Sequence, residues 1–356
     1  MSADLRWMEY AQRLGRRALG TTSENPPVGC VIVKDGRLLG VGWTQPGGRP
    51  HAETEALKMA GEKASGATAY VTLEPCAHYG RTGPCAAALV NARIARVVTA
   101  IEDPDPRVSG GGHAMLKTAG VTVETGLCIK EATRDLAGFL TRITGKRPYV
   151  ILKIGISADG KIAAGPGLRT PITGPEANAR VHLMRAQSDA ILVGLGTVLI
   201  DDPDLTCRLP GMATRSPIRI VADTRLSIPP NARLVKTASA VPVWILSTRK
   251  GNVGAGITVI DCKQTQFGWV DFVDAFQRLA ERGINNLMVE GGSHVSHSLL
   301  QADLVDEVQL FQSPIIIGPQ GTDAIAGMPL SQLDIRYKHS AKETLGTDTL
   351  TVYERR

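Results

Sequence analysis

Two α/β domains in tandem are predicted from three observations. The chain has 356 residues, beyond the size at which a single hydrophobic core keeps growing. Short apolar runs alternate with helix-period segments along its length, as layered α/β folds require. The stretch Thr141-Arg142-Ile143-Thr144-Gly145-Lys146-Arg147-Pro148 breaks that alternation and reads as a linker, so domains are expected over 1–146 and 147–356.

In the first half, residues 4–19 place Met8, Ala11, Leu14 and Ala18 on one helical face. Asn25-Pro26-Pro27 ends that helix region, and Val28 to Val33 is an apolar run rich in β-branched residues. Asp35-Gly36 then signals a tight hairpin returning over Leu38 to Trp43. A helix is expected to begin near His51, a strand over Ala69 to Leu73, and a helix with Pro84 as its first residue. Arg96 to Ala100 and Val121 to Glu124 read as strands, with a helix introduced by Gly110-Gly111-Gly112 between them. Such alternation implies three layers.

The pattern restarts after the linker. Strands are expected at Tyr149 to Ile156, Ala190 to Gly194, Ile218 to Ala222, Val243 to Leu246, Thr258 to Ile260, Leu287 to Glu290 and Val308 to Phe311. Helices are expected at 176–187, 271–282 and 294–301, and Thr347 to Tyr353 should close one sheet edge.

Composition narrows the function. The net charge of +6 is spread thinly, and 15 aromatics are few for a surface that stacks bases. A small anionic ligand is expected, and no nucleic acid. With no run of 18 apolar residues, no membrane partner is expected either. Six dispersed cysteines do not form a disulfide framework, and a reducing cytoplasm fits them.

The chemistry concentrates between His51 and Cys85. His51-Ala52-Glu53 is followed after 20 residues by Glu74-Pro75-Cys76, and after eight more by Cys85. One imidazole and two thiolates can hold zinc and leave its fourth position open to water. Glu53 lies two residues from the first ligand, where it can move protons without binding metal. H-x-E followed by P-C and a second Cys is the signature of zinc-dependent nucleobase deaminases. A closed structural site would need a fourth ligand, for which His78 is the candidate.

These segments, with Asn25-Pro26-Pro27-Val28-Gly29-Cys30 and the Ala77-His78-Tyr79-Gly80-Arg81-Thr82-Gly83-Pro84 insertion between the cysteines, resemble the deaminase half of the bifunctional riboflavin-biosynthesis family. That family couples a diaminohydroxyphosphoribosylaminopyrimidine deaminase to a 5-amino-6-(5-phosphoribosylamino)uracil reductase. The resemblance implies a cytidine-deaminase-like α/β/α domain with His51, Cys76 and Cys85 as zinc ligands and Glu53 as the catalytic proton shuttle. It implies substrate contacts for Asn25, which also reads as a turn residue, and for His78, which also reads as a local hydrogen-bonding residue. Arg81 could line the same pocket. Asp103-Pro104-Asp105-Pro106 resembles a family D-P-N-P segment, although a plain turn is the safer reading.

The second half resembles the family's reductase, similar in fold to dihydrofolate reductase and NADPH-dependent. The resemblance rests on the segments Lys153 to Ala163, Arg185 to Gly194, Asp201 to Arg208 and Glu290-Gly291-Gly292. By resemblance, Lys153 and Glu290 are catalytic and contact the sugar. Arg169, Thr173, Arg185, Leu205, Arg208 and Glu290 would bind substrate, with phosphate as the natural partner for a guanidinium. Gly155, Pro171, Thr197, Asp201 and the turn Gly292, Ser293, His294, Val295, Ser296, His297, Ser298 would bind NADPH. No G-x-G-x-x-G is present. Pro171 stands where the family usually carries a Trp against the cofactor. The expected function is hydrolytic deamination of a phosphoribosylated diaminopyrimidinone, then NADPH-dependent reduction of its ribosyl group. A homo-oligomer is expected. The alternative is a nucleic-acid deaminase whose second domain binds but does not reduce.

Overall fold

The computed structural model describes residues 3–79 and 83–356. Gly80, Arg81 and Thr82, singled out above, lie outside the described residues. The chain divides into two compact units, Met1–Lys146 and Arg147–Arg356.

The first unit runs α1 (Ala3–Arg16), β1 (Gly29–Lys34), β2 (Arg37–Trp43), α2 (Ala52–Ala60), β3 (Thr68–Val71), α3 (Cys85–Asn91), β4 (Arg96–Thr99), α4 (Gly111–Thr118), β5 (Thr122–Thr125), α5 (Ile129–Asp135) and α6 (Ala137–Gly145). Its sheet has the order β2-β1-β3-β4-β5. The β1–β2 hairpin turns on Asp35 and Gly36, with φ of 50° and 71°, as a primed turn demands. Alternate residues of β1 face opposite layers. Cys30 and Ile32 join the core under α2 and α3, whereas Val31 and Val33 pack with Met8, Ala11 and Leu14 of α1. This is the expected three-layer arrangement.

Two boundaries differ from expectation. Pro84 is the residue before α3 rather than its first turn. Residues 141–145 belong to α6, because Phe139, Leu140 and Ile143 pack on the core and carry the helix to Gly145.

The second unit contains β6 (Tyr149–Ile156), β7 (Lys161–Ala163), α7 (Pro175–Gln187), β8 (Ala190–Gly194), α8 (Leu195–Asp201), β9 (Ile218–Ala222), α9 (Arg233–Lys236), β10 (Val243–Ser247), β11 (Ile257–Asp261), α10 (Phe272–Glu281), β12 (Asn286–Val289), α11 (Ser293–Gln301), β13 (Glu307–Gln312), β14 (Thr322–Asp323), α12 (Gln332–Arg336), β15 (Tyr337–Leu345) and β16 (Asp348–Arg355). The large sheet has the order β11-β10-β9-β8-β12-β6-β13-β16-β15. Every pairing from β11 to β13 is parallel, and β16 and β15 add antiparallel. Parallel strands covered on both faces need continuous apolar runs, and Ala190, Ile191, Leu192 and Val193 are all buried.

Residues 347–353 were expected to close the sheet, and they do not. Residues 348–353 belong to β16, and β15 is the edge beyond it. Between its ends, β15 exposes Lys338 through Thr344 to solvent, so it lacks the apolar alternation that marks a strand. Charged residues on an edge also discourage further pairing.

Candidate active sites

In the first unit the expected ligands converge beyond the carboxyl end of β3, the middle strand. His51 precedes α2, and Cys85 opens α3. Cys76 lies in the turn after β3 rather than at a helix start. Gly112 allows this packing: a Cβ there would come 1.9 Å from the Pro75 carbonyl oxygen, so α4 can lie directly on the Glu74-Pro75-Cys76 turn.

The donor atoms of His51, Cys76 and Cys85 all lie within 4.8 Å of one another. His51 Nδ1 is 3.3 Å from Cys85 Sγ and 3.7 Å from Cys76 Sγ. Tetrahedral zinc with ordinary bond lengths would hold N and S roughly 3.5 Å apart. The backbone N–H of Cys85 donates to Cys76 Sγ at 3.3 Å. The Cys85 thiol, donating to Cys76, holds that sulfur down at about 4, and the same contact pushes Cys85 well up. Two sulfurs sharing one proton beside an imidazole form a donor set that fits a divalent cation. No fourth donor joins the cluster among the described residues, His78 included. Three donors without a fourth are what an open site would require.

Glu53 is buried, and burial pushes its carboxyl up although His51 partly opposes this. It lines a cavity of about 170 Å³ with His51 and Cys76. Asn25 and His78 line the same cavity, as expected. His78 Nδ1 is buried without a hydrogen-bond partner among the described residues, so the local-bonding reading finds no support at that atom.

Sequence reasoning missed Asp103, Asp105 and Arg107, which also line this cavity. Asp103 accepts from the Asp105 N–H at 2.9 Å, and Asp105 holds the Arg107 guanidinium at 2.5 Å. Burial pushes Asp103 up to about 6. The buried Glu74 carboxylate fixes the segment by accepting backbone N–H bonds from Asp103, Gly110 and His113 at 3.2, 3.0 and 3.0 Å. The turn reading of the Asp-Pro-Asp-Pro segment was incomplete. The signal available was two acidic residues each followed by a proline, with a third carboxylate, Glu74, next to Pro75 and Cys76.

In the second unit two cavities meet at Lys153, Gly155, Arg169, Thr197, Asp201 and Gly292. The smaller, about 400 Å³, also takes in Arg185, Leu205, Arg208 and Glu290. The larger, about 1170 Å³, takes in Pro171, Thr173, Ser293, His294, Val295 and Ser298. Gly155 helps shape it: a Cβ there would lie 3.4 Å from Lys153 Nζ and 3.5 Å from Thr173. A long cleft with a glycine floor beside a lysine fits a dinucleotide.

Three expectations change. Arg185 is buried and gives both arms to Glu290 at 2.7 and 2.9 Å, with a further bond to the Thr206 carbonyl. Its fork is therefore committed within the protein, whereas Arg208 lines the smaller cavity half exposed, with Asp204 3.9 Å away. Thr173 lines the larger cavity rather than the one that holds the other substrate candidates. Within 292–298, Ser296 is buried and His297 bonds Gln301, because helical spacing turns them away from the face carrying His294, Val295 and Ser298.

Burial pushes Lys153 down, with Arg185 adding to that and Glu290 opposing it. Burial would raise Glu290, but the Arg185 charge and bonds outweigh it and leave the carboxyl below its ordinary value. The result is an ionised carboxylate beside an amine at the junction of the two cavities.

Residues 1–101 match the cytidine and deoxycytidylate deaminase zinc-binding region, and residues 148–351 match the RibD C-terminal domain. The riboflavin biosynthesis protein RibD of Escherichia coli K12 is 44% identical over 324 residues, 88% of each chain. This chain belongs to the RibD family. The RibD of Aquifex aeolicus is 37% identical over 99% of this chain and 98% of its own. The solved RibD of Acinetobacter baumannii superposes with a TM-score of 0.90 at 36% identity, covering 99% of both chains. A Thermotoga maritima structure described as a diaminohydroxyphosphoribosylaminopyrimidine deaminase/5-amino-6-(5-phosphoribosylamino)uracil reductase gives 0.89 at 32% identity, also over 99% of both chains. RibD relatives span both halves, and these matches lend no support to a nucleic-acid deaminase.

Proposed function

We infer that the chain is a bifunctional enzyme of riboflavin biosynthesis, using zinc in its first unit and NADPH in its second. The first reaction is hydrolytic deamination of 2,5-diamino-6-(5-phosphoribosylamino)pyrimidin-4(3H)-one. The second reduces the ribosyl group of 5-amino-6-(5-phosphoribosylamino)uracil to ribityl. The observation that carries the reading is the His51–Cys76–Cys85 cluster with the buried Glu53 beside it in one cavity.

His51, Cys76 and Cys85 would hold zinc, which would supply an activated water at neutral pH. Glu53 takes a proton from the attacking water and delivers it to the ring nitrogen. A C–O bond forms, and as the C–N bond breaks Glu53 moves the remaining proton of the added hydroxyl to the nitrogen leaving as ammonia. Asn25 and His78 hold the pyrimidine against this carboxylate.

NADPH held in the larger cleft would supply the hydride for reduction at the first sugar carbon. Lys153 and Glu290 present a proton donor and an acceptor to the opened sugar, and Arg185 keeps Glu290 ionised and in place. Arg208 takes the phosphate, with Leu205 and Arg169 enclosing the sugar. Gly155, Thr197, Asp201 and the Gly292–His294 turn hold the cofactor. Among the described residues no helix is long and apolar enough to cross a membrane. Free thiol ligands suit the cytoplasm, and we place the enzyme there as a homo-oligomer.

The test is a coupled assay on the full chain supplied with the diaminopyrimidinone. Ammonia release followed by equimolar NADPH oxidation is expected. NADPH oxidation without prior ammonia release would refute the order of steps.

A further inference from the structure

The larger cleft of the reductase unit is lined by Gly155, Pro171, Thr197, Asp201, Gly292 and His294, among the residues that the sequence singled out for the cofactor. It continues to the carboxyl end of β9, where Thr224 and Arg225 line it together with Trp269 and Phe272. The strand order β9-β8-β12-β6 puts three strand spacings, roughly 14 Å, between the strand leading to Arg225 and that of Lys153. An extended dinucleotide with its nicotinamide at Lys153 would reach the β9 end with its adenosine half.

The turn at that end is tightly held. Asp223 is buried, and its carboxylate accepts from the Ile228 N–H at 2.8 Å and the Ser227 hydroxyl at 3.1 Å. The Thr224 carbonyl accepts from the Ser247 and Thr248 hydroxyls at 2.9 and 3.1 Å. Thr224 Oγ1 accepts from the Val270 N–H at 3.3 Å. Leu226 is driven to φ 54°, a left-handed conformation that a Leu adopts only where its surroundings dictate it.

This arrangement has a chemical consequence. A cofactor bearing a free ribose 2′-hydroxyl is usually met by an acidic side chain, and one bearing a 2′-phosphate by an arginine. Asp223 spends its carboxylate inside the turn. Arg225 is exposed beside the cleft, and its guanidinium has no ion pair or hydrogen bond among the described residues. A guanidinium fork matches a phosphate in charge and geometry.

We propose that Arg225 binds the 2′-phosphate of the cofactor and sets the enzyme's preference for NADPH over NADH. The proposal rests on the NADPH-dependent reading of this unit and adds to it the residue that discriminates. Arg225 is a binding determinant at the far end of the cleft from the reacting carbon.

Calorimetric titration of the full chain tests it with four probes: NADP⁺, NAD⁺, adenosine 2′,5′-bisphosphate and AMP. The wild type is expected to favour the two 2′-phosphorylated ligands. Arg225→Ala should weaken both of these about 10- to 100-fold, the range for losing a charge-assisted contact. NAD⁺ and AMP should be unchanged, and Arg225→Lys should recover part of the loss. The residue is exposed, so an unchanged melting temperature is expected and will show that the variants fold. Equal weakening of all four ligands, or an undiminished preference in Arg225→Ala, would overturn the assignment of Arg225 alone. A wild type that binds neither dinucleotide would overturn the NADPH reading beneath it.

Discussion

Removing the Arg185 guanidinium isolates what holds the reductase carboxylate in its working state. The Arg185 and Glu290 side chains are only 11% and 13% exposed and meet through two parallel bonds. Stripping one partner from such a pair leaves a buried charge unpaired and costs about 3–5 kcal/mol. Lys153 still attracts Glu290, so the lower end is expected, which in a unit of this size is a fall in melting temperature of about 6–12 °C. The pH dependence should change sign. In the wild type the Glu290 pKa is depressed, so the stability it contributes is present above its unfolded value and lost as pH falls through the folded one. In Arg185→Met burial is no longer outweighed and the pKa rises. The stability deficit should then be small in mild acid and grow toward neutral pH. The acid limb of the reduction rate should move to higher pH. Calorimetry across pH, with NADPH oxidation measured on the deaminated substrate, reads both effects. The double variant Arg185→Met/Glu290→Met should regain most of the stability and none of the activity, because apolar replacement of a buried pair is often neutral. A melting shift under about 2 °C together with an unmoved acid limb would refute the reasoning.

Three further outcomes follow from the same physics. Glu74→Gln leaves one of three backbone donors facing an amide N–H, and should destabilise the first unit by about 2–4 kcal/mol in calorimetry while the second unit's transition stays put. Asp103 is pushed up to about 6, so the stability it contributes is full below its unfolded value and lost as pH rises through 6. Asp103→Asn should therefore flatten the pH dependence of first-unit melting between pH 4 and about 7. Pro171 lines the cofactor cleft without an aromatic face, and Pro171→Trp should tighten NADPH binding by roughly 3- to 10-fold in fluorescence titration.

Legibility in the sequence followed distance along the chain. The His51–Cys76–Cys85 cluster was readable because short motifs carry it, and the Asp35-Gly36 hairpin because its turn chemistry is local. The parallel strands announced themselves as apolar runs. The Arg185–Glu290 pair was hidden because its partners lie 105 positions apart and only the sheet order brings α7 to the end of β12. Arg185 accordingly looked like a free phosphate ligand. Asp103 and Asp105 were hidden for a related reason: Glu74 ties them to the metal turn through backbone donors, which no side-chain pattern reveals. The exposed strand β15 had no buried face to mark it. Not all of 292–298 faces the cleft, because helix α11 begins at Ser293 and points successive side chains in different directions.

The most direct test of two consecutive active sites in one chain uses Glu53→Ala, fed separately with each substrate. Zinc measured by metal analysis should remain at the wild-type level, because Glu53 is outside the ligand set. Ammonia release from the diaminopyrimidinone should fall by roughly 10²–10⁴, while NADPH oxidation with the preformed deaminated pyrimidine should proceed at the wild-type rate. Undiminished ammonia release with zinc retained would contradict the account.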